Sequence, residues 1–149
     1  MAQSHMLRVV SFTGRVLHLH EELYKRTDGR LGHRMIGVPT LLLRTTGRRS
    51  GATRTNGLVY ARDGDDYLVV ASNGGADRPP SWLYNLRAQP DVEIQIGRER
   101  QRATARIIEP SDPSYERLWK LVNANNRDRY SAYQQKTTRP IPVIAIAPI

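Results

Sequence analysis

Between Pro39 and Arg62 the chain reads PTLLLRTTGRRSGATRTNGLVYAR, and its densest chemistry lies mid-stretch, where Arg48, Arg49 and Ser50 occupy a turn and Arg54 follows. Three guanidiniums and several turn amides within seven residues suit an anion. Arginine forks match phosphate and carboxylate oxygens, and turn N–H groups add directed donors. A solvated hairpin tip is the bland alternative on charge alone. No Gly-Lys-Ser or Gly-Lys-Thr closes the turn, so it is not a Walker loop. A second candidate is the run Ser72-Asn73-Gly74-Gly75, whose glycines permit close approach of backbone to a ligand or else simply make a long turn. Aromatics at Trp82, Tyr130 and Tyr133 complete the set. Hydrolytic chemistry has no constellation: none of the four histidines lies beside a plausible serine or aspartate partner, and no glycine-flanked nucleophile serine occurs. A basic turn, a polar glycine loop and aromatic surfaces are instead the parts that hold a cofactor, which then carries the difficult chemistry.

Composition narrows the partners. Lysine and arginine number 23 against 14 acidic residues, a net charge of +9, so an anionic partner is expected: nucleic acid, phospholipid headgroups or a phosphorylated small molecule. With no cysteine, disulfides, thiolate metal sites and cysteine nucleophiles are excluded. His18 and His20 lie two residues apart on an expected helix, point to different sides, and do not make a metal pair. A chain of 149 residues fits one domain with one sizeable core. It carries no signal peptide and no run of about 20 apolar residues, which favours the cytoplasm.

The elements that must position these residues follow from periodicity. Val9, Phe12, Val16, Leu19 and Leu23 recur at helical steps, predicting an amphipathic helix over 7–26 whose apolar face either caps the fold or lies on an anionic membrane surface. Thr27 to Val38 reads as a connecting loop. Leu41 to Leu43 make a short strand buried on both faces, the basic turn leads into a return strand, and Asp63-Gly64-Asp65-Asp66 turns the chain into a strand over Tyr67 to Ser72. Those three strands are expected to form a meander. Pro79 and Pro80 open a helix with Trp82, Leu83 and Leu86 on one side, and Pro90 stops it. Val92, Ile94 and Ile96 alternate with polar residues, and Arg100 to Ile108 returns with Ala103, Ala105 and Ile107 on one face. Asp112-Pro113 opens a further helix, Asn123 to Arg139 is polar, and Ile141 to Ala147 forms the last strand. Six mostly antiparallel strands with flanking helices give an α+β closed or split β-barrel.

The runs TTGRRSGATRTNGLVY, VASNGGADRPPSWLYNL and YSAYQQKTTRPIPVIAI resemble the deazaflavin-dependent nitroreductase family of actinobacteria, in order and spacing from Gly32 to Pro148. That resemblance implies a split β-barrel related to the FMN-binding, pyridoxamine-phosphate-oxidase-like folds, and coenzyme F-420, an 8-hydroxy-5-deazaflavin, as cofactor. It places Arg48, Arg49 and Arg54, with Ser50 in the same turn, against the coenzyme's phosphate and oligoglutamate tail. Asn56, Gly57, Leu58 and Val59 run beside the deazaflavin ring, and Ala71, Ser72, Asn73, Gly74 and Gly75 close over it. Ser72 hydrogen-bonds the acceptor's reducible group, while Trp82, Tyr130 and Tyr133 line the substrate pocket; for Trp82, ordinary core packing explains the residue equally well. Three positions depart from the family pattern: Asn73 stands for a lysine, Gly57 for a proline, and Arg127 for a further pocket tyrosine.

The implied activity is hydride transfer from C5 of reduced coenzyme F-420 to a quinone, activated enone or nitroaromatic. Ser72 would polarise the acceptor, and Tyr130 and Tyr133 would position it or give a proton. Three alternatives stand beside this reading: FMN in place of the deazaflavin on the same fold, a coenzyme carrier or interaction protein with little catalysis, and a nucleic-acid-binding barrel with Arg44, Arg48, Arg49 and Arg54 on phosphates and tyrosines stacked on bases. The expected partner is a small-molecule acceptor rather than nucleic acid.

Overall fold

The structure, a computed structural model, describes residues 38–149. The expected helix over 7–26, with His18 and His20, lies outside the described residues.

Leu41, Leu42 and Leu43 are fully buried in strand β1 (Thr40–Thr46), as an apolar run flanked by Pro39 and a glycine turn requires. Each such side chain contributes roughly 1.5 to 3 kcal/mol of burial free energy. β1 pairs with β2 (Thr53–Val59) across the basic turn, with Thr46 opposite Thr53 and Thr40 opposite Val59. The next strands are β3 (Ala61–Asp63), β4 (Asp66–Val70), β5 (Asp91–Ile96), β6 (Glu99–Ile108) and β7 (Val143–Pro148). Every pairing is antiparallel, and the sheet runs β2-β1-β5-β6-β7-β4-β3.

That order puts β2 and β3 at opposite ends of the sheet, yet only Tyr60 separates them in the chain. The two edges must therefore meet at Tyr60, whose N–H donates to the carbonyl of Pro39 at 3.1 Å, and the sheet curls into a split barrel. This corrects two expectations. The return strand breaks into β2 and β3, giving seven strands rather than six, and there is no three-strand meander. β4 pairs with β3 and β7, not with β2. A continuous apolar-to-polar stretch gives no local sign that its two halves serve different partners.

Alternation along the strands separates two cores. On one face Tyr67, Val69 and Ala71 join Leu41, Leu43, Val92, Ile94, Ala103, Ile144 and Ile146. Helix α1 (Ser81–Ala88) covers this core with Trp82, Leu83 and Leu86; it starts after Pro80, and Gln89 N–H closes its last turn on the Asn85 carbonyl at 2.8 Å before Pro90. On the other face Leu68, Val70, Ile108, Val143 and Ala145 pack against helix α2 (Tyr115–Asn125) and the short helix α3 (Arg129–Gln134) through Leu118, Val122 and Tyr130. α3 falls inside the polar stretch that sequence left unassigned. Arg127 and Asp128 turn the chain into it with φ of 55° and 58°, and the Ser131 N–H donates to Asn123 Oδ1 at 2.9 Å. No helix among the described residues is long and apolar enough to cross a membrane.

Candidate functional site

The basic turn is built by a short set of hydrogen bonds. Gly47 N–H donates to the Ala52 carbonyl at 2.7 Å, Gly51 N–H to the Gly47 carbonyl at 2.8 Å, and Ala52 N–H to Ser50 Oγ at 3.1 Å. A Cβ at Gly47 would come within 2.9 Å of Ser50 Oγ and 3.1 Å of the Ala52 carbonyl, so a side chain there would require the Ser50 hydroxyl and the turn backbone to shift. Beneath it, buried Asn85 of α1 accepts the Arg48 N–H at 3.1 Å and donates to Thr45 Oγ1 at 3.1 Å. Asn85 carries no signal in the sequence, because an amide on a helix gains meaning only once its partners are known.

Arg48, Arg49, Ser50 and Arg54 are all exposed. The Arg48 guanidinium lies over the Tyr84 ring, 4.6 Å from its centre. None of Arg48, Arg49 and Arg54 forms an ion pair with a described residue, whereas Arg87, Arg106 and Arg117 pair with Glu109, Asp112 and Asp63 at 3.1, 3.3 and 2.9 Å. Arg44, grouped with the turn in the nucleic-acid alternative, sits on Gln95 at 2.7 Å and Glu93 at 3.9 Å. The turn thus groups three arginines without a carboxylate partner among the described residues, while Arg62, Arg78, Arg102, Arg127 and Arg129, equally without one, are dispersed along the chain. Asn56, Gly57, Leu58 and Val59 form the half-buried wall of β2 beside it.

The second cluster begins where β4 ends. Ala71 is fully buried in the barrel core and Ser72 is 8% exposed. The Ser72 carbonyl accepts the Gly75 N–H at 2.9 Å in a 3-10 turn over Asn73–Gly75, while the Ser72 hydroxyl has no partner among the described residues. Asn73, with φ of 46°, donates its side-chain amide to the Arg78 carbonyl at 2.9 Å. Asparagine tolerates this left-handed conformation better than the lysine of the family pattern would. Gly74 faces open space, but a Cβ at Gly75 (φ +85°) would lie 2.6 Å from the Tyr133 carbonyl. The close approach foreseen for this loop is therefore, at Gly75, an approach to α3.

That contact brings Ser72 to Gly75 against the helix carrying Tyr130 and Tyr133, whose rings meet edge-on at 6.3 Å. Behind Tyr130 the aromatic stack continues through Trp119 to Tyr115. Burial pushes the Tyr130 phenol up to about 12, against the opposing effect of a hydrogen bond with Asn126. The loop half of the site is braced by a residue that sequence reasoning missed. Arg139 donates to the carbonyls of Ser72, Ala76 and Ala71 at 2.8, 2.9 and 3.2 Å. Burial lowers its pKa, against the opposing effects of Tyr84 and Asp77.

Trp82 is not brought together with the two tyrosines. It packs in the core lined by Tyr67, Val69 and Ala71, and Tyr130 in the one lined by Leu68 and Val70, on opposite faces of β4. A shallow groove of about 280 Å³ between Arg44, Thr53, Glu93 and Arg102 contains none of the expected site residues. No group of three or more potential metal ligands occurs among the described residues.

Comparison with known proteins fits this arrangement. The sequence profile of the F420H(2)-dependent quinone reductase family matches residues 16–148. An F420H(2)-dependent quinone reductase of Mycobacterium tuberculosis (strain ATCC 25618 / H37Rv) is 53% identical over 132 residues, 88% of this chain and 89% of the relative. Among solved structures, an F420-H2 dependent reductase aligns with a TM-score of 0.64 and 38% identity, covering 72% of this chain and 93% of that one. A chain described as a domain-swapped dimer aligns with a TM-score of 0.67 and 34% identity, covering 95% and 98%. The fold alone is shared with the Vibrio cholerae heme storage protein HutZ, at 17% identity, TM-score 0.58 and coverage of 74% and 81%. It is also shared with a pyridoxamine 5'-phosphate oxidase-type protein from Listeria innocua, at 16% identity, TM-score 0.51 and coverage of 73% and 82%.

Proposed function

Because the chain belongs to the F420H(2)-dependent quinone reductase family, we propose that it reduces a quinone with reduced coenzyme F-420, using the basic turn to hold the coenzyme and the Ser72 loop with α3 to hold the acceptor. The observation that carries the assignment of parts is the set of three turn arginines without a described carboxylate, together with a loop whose Ser72 hydroxyl has no partner among the described residues. These residues fit a polyanionic coenzyme: Arg48, Arg49 and Arg54 supply charge-assisted donors that no described carboxylate occupies. When bound, the reduced coenzyme supplies a hydride.

The chain's own residues bind, orient and shield. Arg48, Arg49 and Arg54 take the phosphate and acidic tail, with Ser50 and Asn85 fixing the turn that carries them. The Asn56–Val59 wall and the Ala71–Gly75 loop flank the ring. Ser72 Oγ donates to the acceptor oxygen that gains negative charge, and a donor aimed at that oxygen stabilises the transition state more than the ground state. Tyr133 packs the acceptor against the loop. Tyr130, its phenol pushed up to about 12 by burial, keeps its proton at neutral pH and serves as a fixed hydrogen-bonding wall, and the proton completing the reduction comes from solvent or another pocket hydroxyl.

Fluorescence titration with coenzyme F-420 and with FMN tests the cofactor; FMN affinity equal to or tighter than that of F-420 overturns it. Steady-state oxidation of reduced F-420 with menadione tests the acceptor site. Ser72→Ala and Tyr133→Phe should each lower kcat/KM by about 1 to 3 kcal/mol in transition-state free energy, with coenzyme affinity changed much less. Full activity in both variants, or parallel loss of coenzyme binding, would move the acceptor elsewhere.

A further inference from the structure

Arginine on a protein surface ordinarily meets carboxylates or water, and Arg139 does neither in the usual way. It is half-buried, and Nε, Nη1 and Nη2 are directed at the carbonyls of Ala76, Ala71 and Ser72 at 2.9, 3.2 and 2.8 Å. Two of those carbonyls flank Ser72 in the chain, and the third closes the loop behind it. A planar fork binding three carbonyls fixes the loop's orientation as well as its position, which a single ammonium cannot do.

The anchor of Arg139 is equally specific. Its N–H donates to Thr137 Oγ1 at 3.3 Å, and Thr137 Oγ1 donates to Asp77 Oδ1 at 2.8 Å on the far side of the same loop. Its carbonyl accepts the Gln134 side-chain amide at 2.8 Å, and Gln134 is the last residue of α3, one position beyond Tyr133. Gln134 Oε1 in turn accepts the Ile141 N–H at 3.0 Å, tying the assembly to the approach to β7. Arg139 is therefore joined through hydrogen bonds to the backbone of Ser72 on one side and to the helix of Tyr133 on the other.

We propose that Arg139 is a positioning residue for the reduction: by clamping the Ala71, Ser72 and Ala76 carbonyls it sets the Ser72 hydroxyl at a fixed offset from Tyr133, and so aims it at the acceptor. This rests on the assignment of Ser72 and Tyr133 to the acceptor site. Arg139 touches neither acceptor nor coenzyme in this role and acts through Ser72. Displacing a donor by an ångström or less is enough to cost one to two orders of magnitude in rate, because reaction requires near-attack geometry.

The test is a cycle of Ser72→Ala, Arg139→Lys and the double variant, with kcat and KM for menadione, the dissociation constant for coenzyme F-420, and Tm recorded for each. Arg139→Lys should lower kcat about tenfold, with coenzyme affinity within about threefold of the unmodified protein. In the Ser72→Ala background the same substitution should change kcat by less than about twofold, because the group it aims is already gone. A second arm uses Arg139→Ala, to which methylguanidinium added at millimolar concentration should restore part of kcat while acting far less in the Arg139→Ala, Ser72→Ala double variant. Independent effects that multiply in the double variant would show that Arg139 serves stability alone and overturn the proposal. Loss of coenzyme binding together with kcat would overturn it too. If Ser72→Ala itself leaves kcat/KM intact, the acceptor-site assignment fails; if Ser72→Ala lowers kcat/KM and the effect of Arg139→Lys persists undiminished in that background, the assignment stands and the Arg139 proposal alone fails.

Discussion

The two halves of the site are built on opposite terms. Around the basic turn the side chains that matter are exposed, Gly51 has no atom within 4 Å of a would-be Cβ, and the main buried support is the Asn85 amide. Around Ser72 the backbone itself is packed: Gly75 lies against the Tyr133 carbonyl, and Arg139 holds three carbonyls of one loop. Capture of a long flexible polyanion needs charge at roughly the right place. Polarising one oxygen needs a hydroxyl at one place. The first half should therefore tolerate substitution and respond to salt, and the second should do the reverse.

The largest expected effect falls on the packed half. Gly75→Ala places a methyl 2.6 Å from a backbone carbonyl and forces a left-handed φ of +85° on an L-residue, so a loss of about 3 kcal/mol in stability is expected, with acceptor kcat/KM falling alongside. Gly74→Ala, with the same sign of φ but open space around it, should cost only about 1 kcal/mol. Urea denaturation of both variants checks the contrast, and equal costs would remove the packing argument.

Next comes the exposed half. The double substitution of Arg48 and Arg49 by Ala should weaken coenzyme F-420 binding at least tenfold, about 1.4 kcal/mol, and flatten its salt dependence. Arg117→Ala, which removes the exposed pair with Asp63, should leave coenzyme binding unchanged and cost less than about 1 kcal/mol in stability. Normal binding by the double variant at low salt would reduce the turn to a solvated tip.

The smallest effect expected near neutrality concerns Tyr130. Its folded pKa of about 12 exceeds the unfolded value of about 10, so the folded state keeps a proton that the unfolded chain releases. The stability linked to that proton is fully present below about pH 10 and is lost as pH rises towards 12. Tyr130→Phe should accordingly show a shallower alkaline decline in Tm and no new inflection in kcat between pH 6 and 9; such an inflection would return Tyr130 to the role of proton donor.

Much of this site was legible along the chain because its signals are local. A cluster of arginines inside a glycine turn, period-two strands at Val92 to Ile96 and a proline-opened helix at Ser81 each arise from neighbouring residues. Helix α3 and Asn85 were not legible. α3 is only six residues long and held by Asn123 and the Gly75 contact, and Asn85 declares its purpose only through Thr45 and the Arg48 N–H.

The sequence by itself determined the antiparallel elements, the net positive charge and the family, since strand alternation, turn chemistry and motif order need no long-range contact. Tertiary structure decided the rest. It split the return strand at Tyr60 so that the sheet edges could meet, and set Trp82 and Tyr130 on opposite faces of β4. It also left the turn arginines without carboxylates among the described residues while pairing Arg87, Arg106 and Arg117. The physical reason is the same throughout: a residue's chemistry is written in its side chain, but whether that chemistry remains available depends on which groups from distant parts of the chain fold against it. Arg139 lies 67 residues from Ser72 and was invisible until those two points met.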